Sequence, residues 1–161
     1  MSRQTALAKL AELGISYTLT EHPAVYTIEE MDALGITAEG EVVKNLFLRD
    51  AKGKRHFLLV LGKDKRADLK HIGAALEASH LSFASAERLQ KYLGLTQGEV
   101  TPLGVVNDRE AAVEVVFDSE LRDSEKLGVH PNDNTATVWL SFAELLRYVQ
   151  ANGNSVSYID I

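Results

Sequence analysis

The order of patterns along the chain predicts an α+β fold, a mixed, twisted β-sheet surrounded by helices. Three observations lead there. Strand-like and helix-like stretches interleave irregularly, without the steady alternation of a doubly wound sheet. Two strong strand patterns, at 41–50 and 55–61, are separated only by Ala51-Lys52-Gly53-Lys54, so they are expected to pair as an antiparallel hairpin. Finally, 161 residues at 45% hydrophobic suffice for one domain, 1–161, with a substantial core, and no repeat or linker divides it.

In order, residues 2–13 carry Leu7, Leu10 and Leu13 on one helical stripe, with Gly14 as the stop. Residues 15–20 alternate like a strand and break at His22-Pro23. Thr27-Ile28-Glu29-Glu30 is a capping-box pattern, opening a short helix that ends at Gly35. After the hairpin, Leu69, Ile72 and Leu76 mark one face of a helix over 66–77. Leu81-Ser82-Phe83 reads as a short strand, and 85–93 as a helix stopped by Gly94. The glycine-punctuated run 95–107 is expected to lead into a strand, and 113–117 to form another. A β-rich segment at 135–140 precedes a second capping box, Ser141-Phe142-Ala143-Glu144. The helix it opens runs to Asn152-Gly153, and 155–161 is a last strand.

The stretch 41–50 carries the first chemical question. Alternation puts Val42, Lys44, Leu46 and Leu48 on one face, and Val43, Asn45 and Phe47 on the other. Both faces are apolar apart from one lysine and one asparagine, as in a strand covered on both sides. An amine drawn into such a place is costly unless an anion or hydrogen-bond acceptor meets it. Lys44 is therefore either a site residue or a side chain that snorkels to solvent from the strand's start.

Composition removes many classes of function. The chain has no cysteine, which excludes disulfides, thiolate nucleophiles and zinc–thiolate sites. The N-terminal residues lack the uninterrupted apolar core of a signal peptide, and no apolar run reaches the roughly 20 residues of a membrane span. A soluble, cytoplasmic protein is expected. The five histidines are scattered, none spaced at i+3 or i+4, so no metal is expected. No glycine-rich phosphate loop, Walker pattern or nucleophile elbow appears, so no cofactor is expected either.

The net charge of −6 argues against a protein that grips nucleic acid over a wide surface. Nine of the 17 basic residues nevertheless fall within 44–70, against only Asp50, Asp64 and Asp68. That sector either meets phosphates along one edge or is a solvated, lysine-rich hairpin. Two loop motifs remain. Glycines and a proline in Gly98-x-x-x-Pro102-x-Gly104 suit a backbone that approaches a ligand and aims amides at an anion. The other is Gly128-Val129-His130-Pro131, where the histidine is a turn residue or a catalyst.

Lys44-Asn45-Leu46 in a strand, Gly98-Glu99-Val100-Thr101-Pro102 and Gly128-Val129-His130-Pro131 together resemble the YbaK-like family. Its members are aminoacyl-tRNA editing domains, homologous to the domain inserted in bacterial prolyl-tRNA synthetases. The resemblance runs along essentially the whole chain, from Glu21-His22-Pro23-Ala24-Val25 to Asn132-Asp133-Asn134-Thr135. Residues 44–50 and the His130 loop are most similar to the free-standing branch that clears alanine from tRNA for proline. The cysteine-clearing branch usually carries a different loop in place of Gly-Val-His-Pro.

The resemblance implies a sheet of about seven mixed strands wrapped by helices. It implies hydrolysis of the ester joining a wrong amino acid to the terminal ribose of tRNA(Pro). Lys44, Gly98, Thr101, Pro102, Gly104 and His130 are then expected at the reacting centre, and Thr20, His22, Val25 and Asn45 around the substrate. The implied partners are the acceptor end of a mischarged tRNA(Pro) and prolyl-tRNA synthetase. Three other functions stay open: a deacylase of cysteinyl-tRNA(Pro) or another small aminoacyl group, a tRNA- or synthetase-binding module without turnover, and an enzyme of this fold acting on another small molecule.

Overall fold

The two strands of the expected hairpin, filled with β-branched and aliphatic residues, become the middle of the sheet. The computed structural model describes residues 3–161. Its strands are β1 (Thr18–Glu21), β2 (Glu41–Arg49), β3 (His56–Gly62), β4 (Ser82–Phe83), β5 (Val113–Asp118), β6 (Leu127–Val129), β7 (Ala136–Leu140) and β8 (Val156–Ile159). Its α-helices are α1 (Arg3–Glu12), α2 (Ile28–Ala33), α3 (Leu69–Ala75), α4 (Ala86–Leu93) and α5 (Phe142–Ala151). The eight-stranded sheet has the order β1-β7-β6-β2-β3-β5-β8, with the two-residue β4 added against β2. It is mixed, as expected: β2 runs antiparallel to β3 and parallel to β6, while β3–β5 and β5–β8 are parallel.

Both faces of the middle strands are covered. On one side Val43, Phe47, Leu58 and Val60 pack with Ala6 and Leu10 of α1, Leu89 and Leu93 of α4, and Leu145, Tyr148 and Val149 of α5. On the other, Leu48, Phe57, Leu59 and Leu61 pack with Ile72 of α3 and Leu81. A third, smaller cluster joins Val42 to Val25, Met31, Ile36 and Trp139 beneath α2. The chain turns from β2 into β3 around Asp50, whose Oδ1 accepts from the Lys54 and Arg55 amides. Gly53 takes the left-handed conformation there, with φ of +68°.

The capping signals hold. Thr27 accepts from the Glu30 amide, and the Glu30 carboxylate accepts from the Tyr26 amide, one residue before the cap. Ser141 caps α5 through the Glu144 amide. Boundaries differ where tertiary contacts decide. The strand expected over 15–20 is paired only over Thr18–Glu21, because Ile15 turns into the core. The helix expected over 66–77 begins after Asp68, whose side chain caps it through the Lys70 and His71 amides, and closes at Ala75. The last strand is likewise shorter, Val156–Ile159. The expected helix start at residue 2 lies outside the described residues.

Two segments read differently from expectation. The run 95–107 does not lead into a strand: it forms two 3₁₀ turns, Gln97–Glu99 and Pro102–Asn107, the second capped by Thr101. Leu103 and Val105 are buried there as single core plugs, not in alternation. Conversely, Leu127–Val129 is a strand although it reads as a turn, because its pairing comes from β2 and β7 and not from local propensity.

Candidate active site

The site arises from an interruption in pairing. One edge of β2 is hydrogen-bonded to β3 over seven residue pairs, Val43 to Arg49. The opposite edge is shared: β6 pairs only with Glu41 and Val42, and β4 only with Leu48 and Arg49. The Glu41 amide donates to Lys126 O, and Phe47 O accepts from the Ala84 amide, so odd-numbered peptide groups of β2 face this edge. By that parity the N–H and C=O of Asn45 point into the interval where neither β6 nor β4 reaches them. Both faces of the strand open onto the same interval, which is how Lys44 and Asn45 line one cavity despite pointing to opposite faces.

The cavity has a volume of about 130 Å³, against about 300–1,000 Å³ for sites that hold drug-sized ligands. It admits a small group only. Val25, Met31, Val42 and Val100 give it an apolar wall, and Gly98, Val129, His130 and Thr137 complete it. Tyr26 lies over Gly98 so closely that a Cβ at 98 would come within 2.6 Å of the ring, so only glycine fits beneath the tyrosine. The carbonyl oxygen of the Asn45 side chain is buried without a hydrogen-bond partner. Leaving such an acceptor unpaired costs about 1–3 kcal/mol, which a donor entering the cavity would recover.

His130 is held by its backbone neighbours. Its Nδ1 lies 3.0 Å from Ala136 O, which only accepts, so Nδ1 carries the proton and Nε2 is left with a lone pair. Burial lowers its pKa below the ordinary imidazole value, and His22 acts in the same direction, while the bond to Ala136 O opposes both. His22 is fixed in the same tautomer by Pro23 O at 2.8 Å, and its Nε2 sits 2.9 Å from the buried Thr137 hydroxyl. Thr101, also buried, donates to His130 O at 2.6 Å and so positions the His130 loop.

The structure thus brings together Lys44, Asn45, Gly98, Val25 and His130 at the cavity, with His22 and Thr101 one layer behind. Three expected residues are elsewhere. Thr20 accepts from the Trp139 indole and donates to Glu39, outside the cavity, because it lies on the β1 edge. Pro102 and Gly104 are buried in the 3₁₀ turn, and a Cβ at 104 would meet Leu95 at 2.6 Å, so that glycine serves packing. Tyr26, Met31, Val100 and Thr137 were not singled out: each comes from a different segment, and no local pattern marks them.

The Lys44 ammonium donates to Lys65 O. One neutral acceptor leaves two of its three protons for an anion. Of the basic sector, Lys63 is paired with Asp32 and Asp64, Lys65 with Asp118 and Glu120, and Arg55 with Glu114. Among the described residues no group of three or more His, Cys, Asp or Glu could hold a metal ion, and no helix is long and apolar enough to cross a membrane.

The site is thus a small cavity with spare acceptors, lined by a lysine, in a chain without a cysteine nucleophile. The family profile described as aminoacyl-tRNA editing domain matches residues 22–148, and the chain belongs to that family. The prolyl-tRNA editing protein ProX of Acetoanaerobium sticklandii is 53% identical over 160 residues, covering 99% of this chain and 98% of that protein. Prolyl-tRNA synthetase associated domain-containing protein 1 of Danio rerio is 38% identical over 143 residues, covering 88% of this chain and 77% of that protein. The crystal structure of a candidate trans-editing enzyme for prolyl tRNA synthetase shares the fold, with a TM-score of 0.76 over 100% of this chain and 99% of that one, at 22% identity.

Proposed function

We propose that this chain is a free-standing, cytoplasmic editing hydrolase that cleaves alanyl-tRNA(Pro) to alanine and tRNA(Pro). The observation that carries the reading is the volume of the cavity on the open edge of β2, about 130 Å³ behind an apolar wall. On this reading the apolar wall leaves room for a methyl side chain and clashes with the added carbons of a prolyl ring. Exclusion by clash is cheap, whereas attraction to one methyl group is worth only about 1–3 kcal/mol.

The reaction needs positioning more than a nucleophile. Water adds to the ester carbonyl, the tetrahedral oxyanion forms, and the bond to the ribose oxygen breaks as that oxygen takes up a proton. The Asn45 N–H faces the gap and can receive the oxyanion. The orphaned Asn45 side-chain oxygen accepts from the α-ammonium of the amino acid. His130 Nε2 accepts from a ribose hydroxyl and so holds it beside the leaving oxygen. As water adds, that hydroxyl takes up the proton the water loses and passes its own to the leaving oxygen, so the balance closes within the substrate. Lys44 holds the terminal phosphate. Partners on this reading are the acceptor end of mischarged tRNA(Pro) and prolyl-tRNA synthetase, which recharges the released tRNA.

Purified protein tested on alanyl-, cysteinyl-, seryl- and prolyl-tRNA(Pro) decides the matter. Rapid loss of alanine with prolyl-tRNA(Pro) intact is the expected result. Preference for cysteinyl-tRNA(Pro) would shift the specificity, and tight binding without turnover would make the chain a binding module.

A further inference from the structure

The cavity and Lys44 account for the tip of a substrate; a second group of cations without ion pairs lies at the other end of the hairpin. At the far end of β2 the guanidinium groups of Arg49 and Arg88 converge on Gly53. A Cβ on that glycine would lie 3.0 Å from Arg49 Nη2, 2.8 Å from Arg88 Nη2 and 3.0 Å from Arg88 Nη1. Two like charges meeting at a bare glycine, with no side chain between them, make an open fork. Each guanidinium is held by neutral groups only. Arg49 donates to Asp50 O and Ala51 O, and Arg88 to Gly53 O and His56 Nε2. Lys91 extends the row one helical turn beyond Arg88, exposed on α4.

No carboxylate lies within ion-pairing distance of Arg49, Lys52, Lys54, Arg88 or Lys91 among the described residues, whereas Lys63, Lys65 and Arg55 all have partners. The acids near the fork are Asp50 and Glu87. Asp50 is buried and committed to the Lys54 and Arg55 amides, and Glu87 lines the same surface depression as Arg88 and Lys91 without coming within ion-pairing distance of either. Planar guanidinium forks match phosphate oxygens two at a time, and their mutual repulsion is relieved only by an anion between them. The fork also stands at a telling place. Four residues of strand separate Arg49 from Asn45, about 13 Å, and only three residues link the end of α4 to the turn at Gln97 and Gly98 that lines the cavity.

We infer that the Arg49–Gly53–Arg88 fork, extended by Lys91, is a phosphate-binding site for the RNA strand whose aminoacylated end enters the cavity. It would seat phosphates a few nucleotides back from the ester. This rests on the editing reading above, and it places the RNA footprint at the end of the hairpin opposite the ion-paired lysines 63 and 65.

The experiment compares wild type, Arg49→Gln combined with Lys91→Gln, Arg88→Gln, and Lys63→Gln as a control that removes one ion-paired charge. Binding of uncharged tRNA(Pro) is measured by fluorescence anisotropy at several salt concentrations, with melting temperature as the check on folding. The double variant leaves the Arg88–His56 contact intact, so it serves if Arg88→Gln unfolds. Affinity should fall roughly tenfold in the double variant, and the log–log salt slope should lose about one to two units. Lys63→Gln should match wild type. On alanyl-tRNA(Pro) the double variant should raise KM with kcat retained, and the difference should vanish on a short alanylated CCA oligonucleotide that ends before the fork. Unchanged affinity and slope in the double variant, or an equal defect on the short ester, would overturn the site. If wild type binds tRNA through the fork yet releases no alanine, the hydrolase reading fails and the phosphate site stands.

Discussion

The two edges of β2 do different work with the same backbone. The edge facing β3 is paired along its length and buried between two apolar layers. The edge facing β6 and β4 is paired only at its ends, and the unpaired middle becomes the wall of a cavity. An interrupted ladder leaves peptide groups directed at whatever fills the interval, held rigidly because the other edge is intact. On the proposed function, stability and chemistry are divided between the edges of one strand, not between separate strands.

That division is tested by substituting across it. Leu59 sits opposite Leu46 on β3 and is fully buried, so Leu59→Ala should lower the unfolding free energy by about 2–5 kcal/mol. Asn45→Ala, on the open edge, removes an unsatisfied buried acceptor and should leave stability unchanged or slightly raised while slowing deacylation. Urea titrations beside rate measurements check both. A large stability loss from Asn45→Ala would mean the open edge is structural after all.

Part of this was legible before any coordinates. The doubly covered strand, the hairpin, the capping boxes and the mixed sheet follow from alternation and turn chemistry, which are local. β6 was not legible, since Leu127-Gly128-Val129 gains its strand geometry from two distant partners, and Gly128 from the need to admit the Trp139 ring within 2.6 Å of where a Cβ would stand. At the site, Lys44, Asn45, Gly98 and His130 belong to short motifs and could be found by reading. Met31, Val100 and Thr137 come together only when three separate segments converge, and Thr20, expected near the substrate from the resemblance, has its hydroxyl engaged by Trp139 and Glu39 outside the cavity. The count of basic residues over 44–70 left two readings open for a related reason: charge in sequence says nothing of which carboxylates arrive in space.

Lys44→Ala sharpens the contrast from the other face of the same strand. A hydrogen bond to a charged group is worth about 1.5–3 kcal/mol, so kcat/KM should fall roughly 10- to 100-fold. Among the described residues the amine has only Lys65 O as a partner, so the melting temperature should change little. Near-wild-type turnover would remove Lys44 from the site.

Selectivity probes the wall of the opening. Val25 is 2% exposed and lines the cavity. A packed wall resists an oversized group by about 1–3 kcal/mol, so Val25→Ala should narrow the preference for alanyl- over prolyl-tRNA(Pro) by roughly 10-fold. Alanine hydrolysis itself should be little slowed. Fast prolyl-tRNA(Pro) cleavage by wild type would defeat discrimination by size, whichever residue lines the wall.

The smallest effect at neutral pH concerns His130, where the open edge meets β6. Only the neutral ring offers Nε2 as an acceptor, because the Nδ1 proton is committed to Ala136 O. Burial depresses the pKa below the ordinary value of 6.5, with His22 adding to the shift and Ala136 O, Asp133 and Glu99 acting against it. The rate should therefore be flat through neutrality and decline only as pH falls through the depressed value. The unfolded chain carries an ordinary imidazole, which binds a proton first, so the stability held by the neutral ring is also lost as pH falls below 6.5. Circular dichroism at each pH separates the two, since lost rate with an intact fold reports the ring itself. His130→Gln keeps a hydrogen-bonding side chain but cannot titrate; it should be slower throughout and lack the acid limb. An acid limb that persists in His130→Gln would assign the titration to another group, and one centred above 6.5 would contradict a buried, neutral His130.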